Sequence, residues 1–322
     1  MDFDEDWEFP EVGALQFRTR KNDREMFADL WETRGDMVAP GRVVAGVEPP
    51  VWMAETEAGM ALLDAAPRLR MIDVVSRHEV WGVEIAGHPR DLQVSRAGPI
   101  ILLETFPEMS QVTLFDPFTG NVDAQVTLPN VLAGWLACLV DGQFAVTDAA
   151  SGDLLVFDAH GQAVKELTVG PGVRGVWSQG GVCVVSWPAG NRLVIIEVAD
   201  WSVRTIDVPD LELVVGAVIS PAGDWLLLTR LQQYPPLQVD LSSCEAREVR
   251  TDMPSTRFSP ILLSPDGKTL AGMINRGVIL LHLANHRLRH LQQLADADGF
   301  AFTRDGGAYL FTAGRIAAAS LH

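Results

Sequence analysis

The chain has 322 residues, is 48% hydrophobic and carries a formal net charge of −17. That acid excess excludes a nucleic-acid surface, which needs clustered Lys and Arg to neutralise phosphate. No apolar run reaches the roughly 18 residues that a membrane-spanning helix requires, so the chain is expected to be one soluble globular unit with no membrane contact.

Residues 1–12 read as an acidic tail: Asp2, Asp4, Glu5, Asp6, Glu8 and Glu11 have no base among them. Such a run solvates rather than folds, although Trp7 and Phe9 would also suit a short acidic-aromatic binding motif. It is not a signal peptide, because no basic start is followed by an apolar stretch. Residues 13–40 hold two expected elements. Gly13–Arg18 alternates apolar and polar residues and reads as a strand. In Asn22–Arg34, Met26, Phe27, Leu30 and Trp31 fall at helical spacing, with Asp23 as N-cap and Gly35 as the stop. This short helical insertion is expected to pack on the side or rim of the domain; a mobile cap is the second reading.

From residue 41 to 322 the chain repeats. Gly59, Gly98, Gly142, Gly180, Gly223, Gly267 and Gly306 are separated by 39, 44, 38, 43, 44 and 39 residues. Each glycine sits in a polar turn between two apolar runs, as in VISPAGDWLLL (218–228) and LLSPDGKTLAG (262–272). Asp-Gly at 141, 266 and 305 is a strong hairpin signal. A second hairpin follows in most copies, for example VTLFD (112–116), then 117–120, then NVDAQVTL. Four short strands per unit of roughly 40–45 residues is one blade of a β-propeller. The fold expected is all-β: a seven-bladed β-propeller over 41–322 with an N-terminal latch strand and one short helical insertion. After Gly306 only two strands remain, so the last blade lacks its outer strand. Gly13–Arg18 is expected to supply it and close the ring, with Arg42–Val47 as the second choice.

The SPDGK turn at Ser264–Lys268 and FDPFTGNV at 115–122 resemble the turns of WD-repeat and YVTN-type propellers. The resemblance covers most of 41–322. It lacks the Trp-Asp pair closing the third strands, where Phe115-Asp116, Phe157-Asp158 and Val239-Asp240 stand, and the Gly-His pair apart from Gly87-His88.

In such a ring the loops entering the inner strands and those joining second to third strands share one face. Here they are expected to carry Arg90, Arg174, Trp177, Trp187, Arg230, Tyr234, Arg257, Phe258, Arg276 and Arg315, besides Trp135. Arg and aromatic residues are enriched at interface hot spots, so these form the expected partner-binding set. The function expected is a non-catalytic scaffold that binds a protein or peptide, as a monomer or a subunit of a hetero-complex. A metal-assisted hydrolase or lactonase at the central channel is the alternative, with Glu55, Glu84, Glu104, Asp148 and Asp298 as carboxylates; a small-molecule sensor is the third reading. No hydrolase elbow, zinc-helix or phosphate-loop motif is present, and no cofactor or metal is expected. His282, His286 and His290 are spaced by four but fall on strand, turn and strand. Cys138, Cys183 and Cys244 have no paired spacing and read as buried, reduced thiols of a cytoplasmic protein.

Overall fold

In the computed structural model four of the seven recurring glycines adopt the turn backbone that the repeat demands. Gly142, Gly180, Gly223 and Gly267 have φ of 74°, 61°, 74° and 70°, a left-handed conformation that lets a tight turn join two antiparallel strands. The structure describes residues 42–43, 50–64, 67–76, 78–94, 98–129, 131, 133–187, 191–230, 235–249, 261–274, 277–284, 287–291, 299–303, 307–312 and 315–319.

Strand β1 (Arg42–Val43) precedes the first complete sheet. Sheet 1 holds β2 (Pro50–Glu55), β3 (Met60–Asp64), β4 (Arg68–Ile72) and β5 (Glu79–Glu84). Sheet 2 holds β6 (His88–Val94), β7 (Ile100–Phe106), β8 (Met109–Phe115) and β9 (Val122–Pro129). Sheet 3 holds β10 (Ala133–Cys138), β11 (Phe144–Asp148), β12 (Asp153–Phe157) and β13 (Ala163–Thr168). Sheet 4 holds β14 (Gly175–Gln179), β15 (Val182–Trp187), β16 (Arg192–Glu197) and β17 (Ser202–Asp207). Sheet 5 holds β18 (Val214–Ile219), β19 (Trp225–Arg230), β20 (Leu237–Asp240) and β21 (Ala246–Glu248). Sheet 6 holds β22 (Ile261–Leu263), β23 (Thr269–Ile274), β24 (Gly277–His282) and β25 (Arg287–Leu291). Sheet 7 is composite: β26 (Gly299–Phe302), β27 (Ala308–Thr312) and β28 (Arg315–Ala319) are joined by β1 as the outer strand. The other six are built from four consecutive strands, each paired antiparallel to the next.

The outer place in sheet 7 falls to Arg42–Val43, opposite Ile316 and Arg315, inside the segment weighed second for that role. Gly13–Arg18 and the expected helix Asn22–Arg34 lie outside the described residues. Among the described residues the only helical turns are two 3-10 turns, Val140–Gly142 and Leu211–Leu213.

The inner strands β2, β6, β10, β14, β18, β22 and β26 neighbour one another in that order, and β26 returns to β2. The core lies between sheets rather than within them. Trp52, Leu63, Leu69, Leu92 and Phe115 fill the gap between sheets 1 and 2, and Leu103, Leu114, Phe144 and Phe157 that between sheets 2 and 3. Met53, Leu62, Ile72, Leu280, Phe300 and Leu310 form one cluster across sheets 6, 7 and 1. Because both faces of each sheet are covered, middle strands such as β15 and β7 read as nearly unbroken apolar runs.

One recurrent feature escaped the sequence reading. The Asp that follows a third strand caps the turn to the outer strand. Asp116 accepts N–H bonds from Phe118 and Thr119 at 2.9 and 2.7 Å. Asp73, Asp158 and Asp240 do the same for Val75 and Ser76, His160 and Gln162, and Ser242 and Ser243. These bonds hold each carboxyl below its usual range. In Asp240 the Ser242 hydroxyl leads, lowering the value to about 2. The residues standing in the Trp-Asp position are therefore turn caps.

Candidate functional site

Arg90, Trp135 and Trp177 were expected in loops, but they lie within inner strands β6, β10 and β14. For Arg90 and Trp135 the reason is a bulge near the first end of the inner strand, whereas Trp177 lies in regular register opposite Val184. Register shifts fall between Pro89 and Asp91 in β6 and between Ala133 and Leu136 in β10. A bulge inserts an unpaired residue and re-aims its side chain while the ladder continues. Arg90 is such a residue and is exposed; Trp135 occupies the next bulge and is half-buried.

The two bulges are tied together from below by Asp91, which is 1% exposed. Its carboxylate accepts the Leu136 N–H of the neighbouring sheet at 3.3 Å and the Gln93 amide at 3.1 Å. Thr147 accepts the Trp135 N–H at 3.0 Å, so the bulged backbone is satisfied from both sides. Burial pushes the Asp91 carboxyl up to about 7, and its hydrogen bonds only partly oppose that. Burial, and then the Asp91 charge, push the Cys138 thiol above its ordinary range.

Beside these bulges the loop joining sheets 3 and 4 is held rigid by two indoles. Trp187 donates to the Pro171 carbonyl at 2.9 Å and Trp135 to the Val173 carbonyl at 3.4 Å. Gly170 packs so close beneath Trp187 that an added Cβ would lie 2.9 Å from the ring. The Gly152 carbonyl accepts the Val169 and Gly170 N–H groups at 3.2 and 3.3 Å. Arg174 is fixed by its backbone N–H to Ser186 O at 3.0 Å, while its side chain is exposed. Trp177 folds over Gly175 and is half-buried. Arg90, Trp135, Arg174, Trp177 and Trp187 thus share one arc of the loop face across sheets 2, 3 and 4.

Gly152 has φ of 76°, and a Cβ there would fall 1.7 Å from the Gly170 carbonyl oxygen. Gly152→Ala is expected to cost at least about 2 kcal/mol, from the left-handed backbone and the displaced loop together. Urea unfolding of the variant beside wild type measures this, and an unchanged midpoint would contradict the seating of the loop.

Arg230 was expected on this face, but it is 8% exposed and turned into its own sheet. It donates to Pro235 O at 2.9 Å and pairs with Glu248 at 2.8 Å, because the last residue of β19 is covered by the sheet's own outer strand. Arg315 was expected in a loop and is the first residue of β28, in register with Val43. Tyr234, Arg257, Phe258, Arg276, His286 and Asp298 lie outside the described residues.

Two of the carboxylates considered for a metal, Glu104 and Asp148, are engaged locally. Glu104 accepts the Gly87 N–H at 2.9 Å and lies 3.5 Å from the Thr113 hydroxyl. Asp148 accepts from Ala150 N and the Ser151 hydroxyl. Glu55 ends β2 and Glu84 ends β5; β2 runs away from the loop face, so Glu55 sits at the far end from Glu104. Among the described residues no three His, Cys, Asp or Glu side chains converge. Cys183 is buried, its thiol pushed up to about 12 by desolvation. Cys244 departs from the expected buried state. It is exposed in the β20–β21 turn, at φ of 62°.

No protein-family model matches the chain, and no curated protein does. Among solved structures it is similar to one described as a streptogramin B lyase structure, at TM-score 0.69 and 13% identity, over 89% of this chain and 98% of that one. It is also similar to the β-propeller domain of Cps50 (Swd1) from Myceliophteria thermophila, at TM-score 0.65 and 12% identity, over 88% of this chain and 100% of that one. These likenesses, with the sheets above, define the chain as an all-β β-propeller. At such identity they show the fold and nothing finer.

Proposed function

We propose that this β-propeller is a non-catalytic interaction module of seven blades that binds a protein or peptide segment on the arc formed by sheets 2 to 4. The observation that carries the reading is the indole-clamped loop of residues 169–174, which holds Arg174 exposed beside three tryptophans. A docking surface benefits when its anchor is ordered before binding, since less conformational entropy is lost on association. Arg offers bidentate contacts to a carboxylate, and the half-buried indoles offer apolar area. The acidic remainder of the surface favours a partner with a basic periphery and an anionic or aromatic anchor. We place the module in the cytoplasm, as a monomer or a subunit of a hetero-complex, with no cofactor.

The test is capture from native extract with wild type and with Arg90→Glu combined with Arg174→Glu. Both side chains are exposed, so the double variant should melt like wild type. A partner held by wild type and lost at least tenfold by the variant is the expected result. A partner retained undiminished moves the binding surface elsewhere.

The hydrolase reading draws on the likeness to a lyase structure and has less support, because the described carboxylates it would use, Glu55, Glu84, Glu104 and Asp148, are spread over three sheets and both ends of the ring. Metal analysis of the purified protein after dialysis against divalent cations tests it directly. One tightly held equivalent would favour it.

A further inference from the structure

The inner strands start at the loop face, so the turns from first to second strand and from third to outer strand lie at the opposite end of the ring. Among the described residues, every exposed large apolar side chain falls in these turns or within two residues of them. Four belong to sheets 1 and 2. Val75, 89% exposed, and Phe118, 57% exposed, stand in the β4–β5 and β8–β9 turns; Val80 and Val122 stand at the starts of the two outer strands. Turn chemistry does not require them. Two residues after the capping Asp, where Val75 and Phe118 stand, sheets 4 and 5 carry Ser202 and Ser242.

Singly scattered apolar residues are ordinary on a surface, but these sit on elements that touch. Trp81 of β5 donates to Pro117 O at 2.9 Å, and a Cβ added to Gly120 would lie 2.7 Å from the same ring. The turn that displays Phe118 is therefore seated on the strand that begins Glu79-Val80. The next turn repeats the arrangement: a Cβ on Gly161 would lie 2.6 Å from Val126 of β9. Asp73 and Asp116 accept the Val75 and Phe118 N–H groups at 2.9 Å each. Both residues are thus presented on a fixed backbone, which lowers the entropy lost when something binds.

The charge around them is acidic. Asp73, Asp116, Asp123, Asp141 and Asp158 stand at this end of sheets 1 to 3 beside Lys165, while Arg68 and Arg70 are paired with Glu79 and Asp64. Arg77 and Arg96 lie outside the described residues. The turn bonds of Asp73, Asp116 and Asp158 all fall on Oδ1, so Oδ2 of each can meet a cation. Such a field repels anionic lipid and nucleic acid. The outer strands are also bulged here. Register shifts at Met71/Ile72, Leu114/Phe115 and Val156/Phe157 make Val80, Asp123 and Val164 extra residues, and a bulged edge does not accept a further strand. Contact at this end must run through side chains, apolar at the centre and cationic at the margin. An amphipathic helix with Lys or Arg beside its apolar stripe has that pattern.

We propose that this end of sheets 1 to 3 is a second docking surface and takes a basic amphipathic helix of a partner protein. The apolar stripe of the helix lies over Val75, Val80, Phe118 and Val122, and its Lys or Arg side chains meet Asp73, Asp116 and Asp158. The surface is independent of the loop-face reading, since it uses the other end of the ring.

The test measures binding of a synthetic helical peptide, with Leu along one face and Lys along the other, to the full chain by fluorescence anisotropy. Saturable binding is expected. It should weaken at least tenfold for Val75→Ser combined with Phe118→Ser, and at least tenfold when Glu replaces Lys in the peptide. Both side chains are exposed, so the double variant should keep the wild-type melting temperature. Independently of that variant, a photoreactive benzoylphenylalanine in the apolar stripe of the peptide should cross-link to residues 73–81 or 116–124 of the wild type. Absence of saturable binding, an affinity unchanged by the two serines, equal binding of the Glu peptide, or cross-links confined to the loop face or to other sheets would each overturn the proposal.

Discussion

Asp91→Asn should raise stability at pH 8 and flatten its dependence on pH between about 4 and 7. In the folded protein the Asp91 carboxyl is pushed from 3.8 up to about 7 by burial. Between those values the folded state holds a proton that the unfolded chain has released. Stability therefore falls as pH rises through this window and is lowest once the buried group ionises. A shift of this size corresponds to an upper bound of about 4 kcal/mol. The capped turn carboxylates, Asp73, Asp116, Asp158 and Asp240, are shifted the other way. Their contribution is present above pH 4 and is lost only as pH falls below it, so the two windows do not overlap. Urea unfolding at pH 5, 6, 7 and 8 separates them. Wild type should lose stability across that series while Asp91→Asn stays level. A level wild-type curve, or a variant less stable at pH 8, would show that Asp91 is not a buried ionising group.

Arg42→Pro combined with Val43→Pro should lower the unfolding free energy by about 3 kcal/mol or more, whereas Leu15→Pro should leave it unchanged. β1 is the only strand of sheet 7 drawn from the other end of the chain, and its pairing with β28 joins the two ends. Proline at both positions removes whichever backbone N–H serves the ladder and leaves β28 as a bare edge. Denaturant midpoints of the two full-length variants give the comparison. The reverse pattern would return the closing role to Gly13–Arg18.

Much of the architecture is legible in the residues because it is local. A glycine able to take positive φ, flanked by β-branched and aromatic runs, makes a hairpin whatever surrounds it, and Gly142, Gly180, Gly223 and Gly267 do so here. Third-strand positions such as Phe115, Phe157 and Val239 could likewise be placed from pattern alone, and the Asp after each could have been recognised as a cap from the polar residues that follow. The site was less legible. Arg230 and Arg174 look equivalent in sequence, each an arginine at a strand end, yet one is folded against Glu248 and the other exposed.

The repeat length and turn chemistry dictate strands, hairpins and an all-β ring, since each depends on residues within a few positions of one another. Which strand completes sheet 7, which bulge lifts Arg90 and Trp135, and how Trp135 and Trp187 grip the same loop depend on contacts 16 to 45 residues apart, or on opposite ends of the chain. Such contacts leave no periodic signature. They are selected by the packing of one sheet against the next, where shape, burial and hydrogen-bond satisfaction must all be met at once.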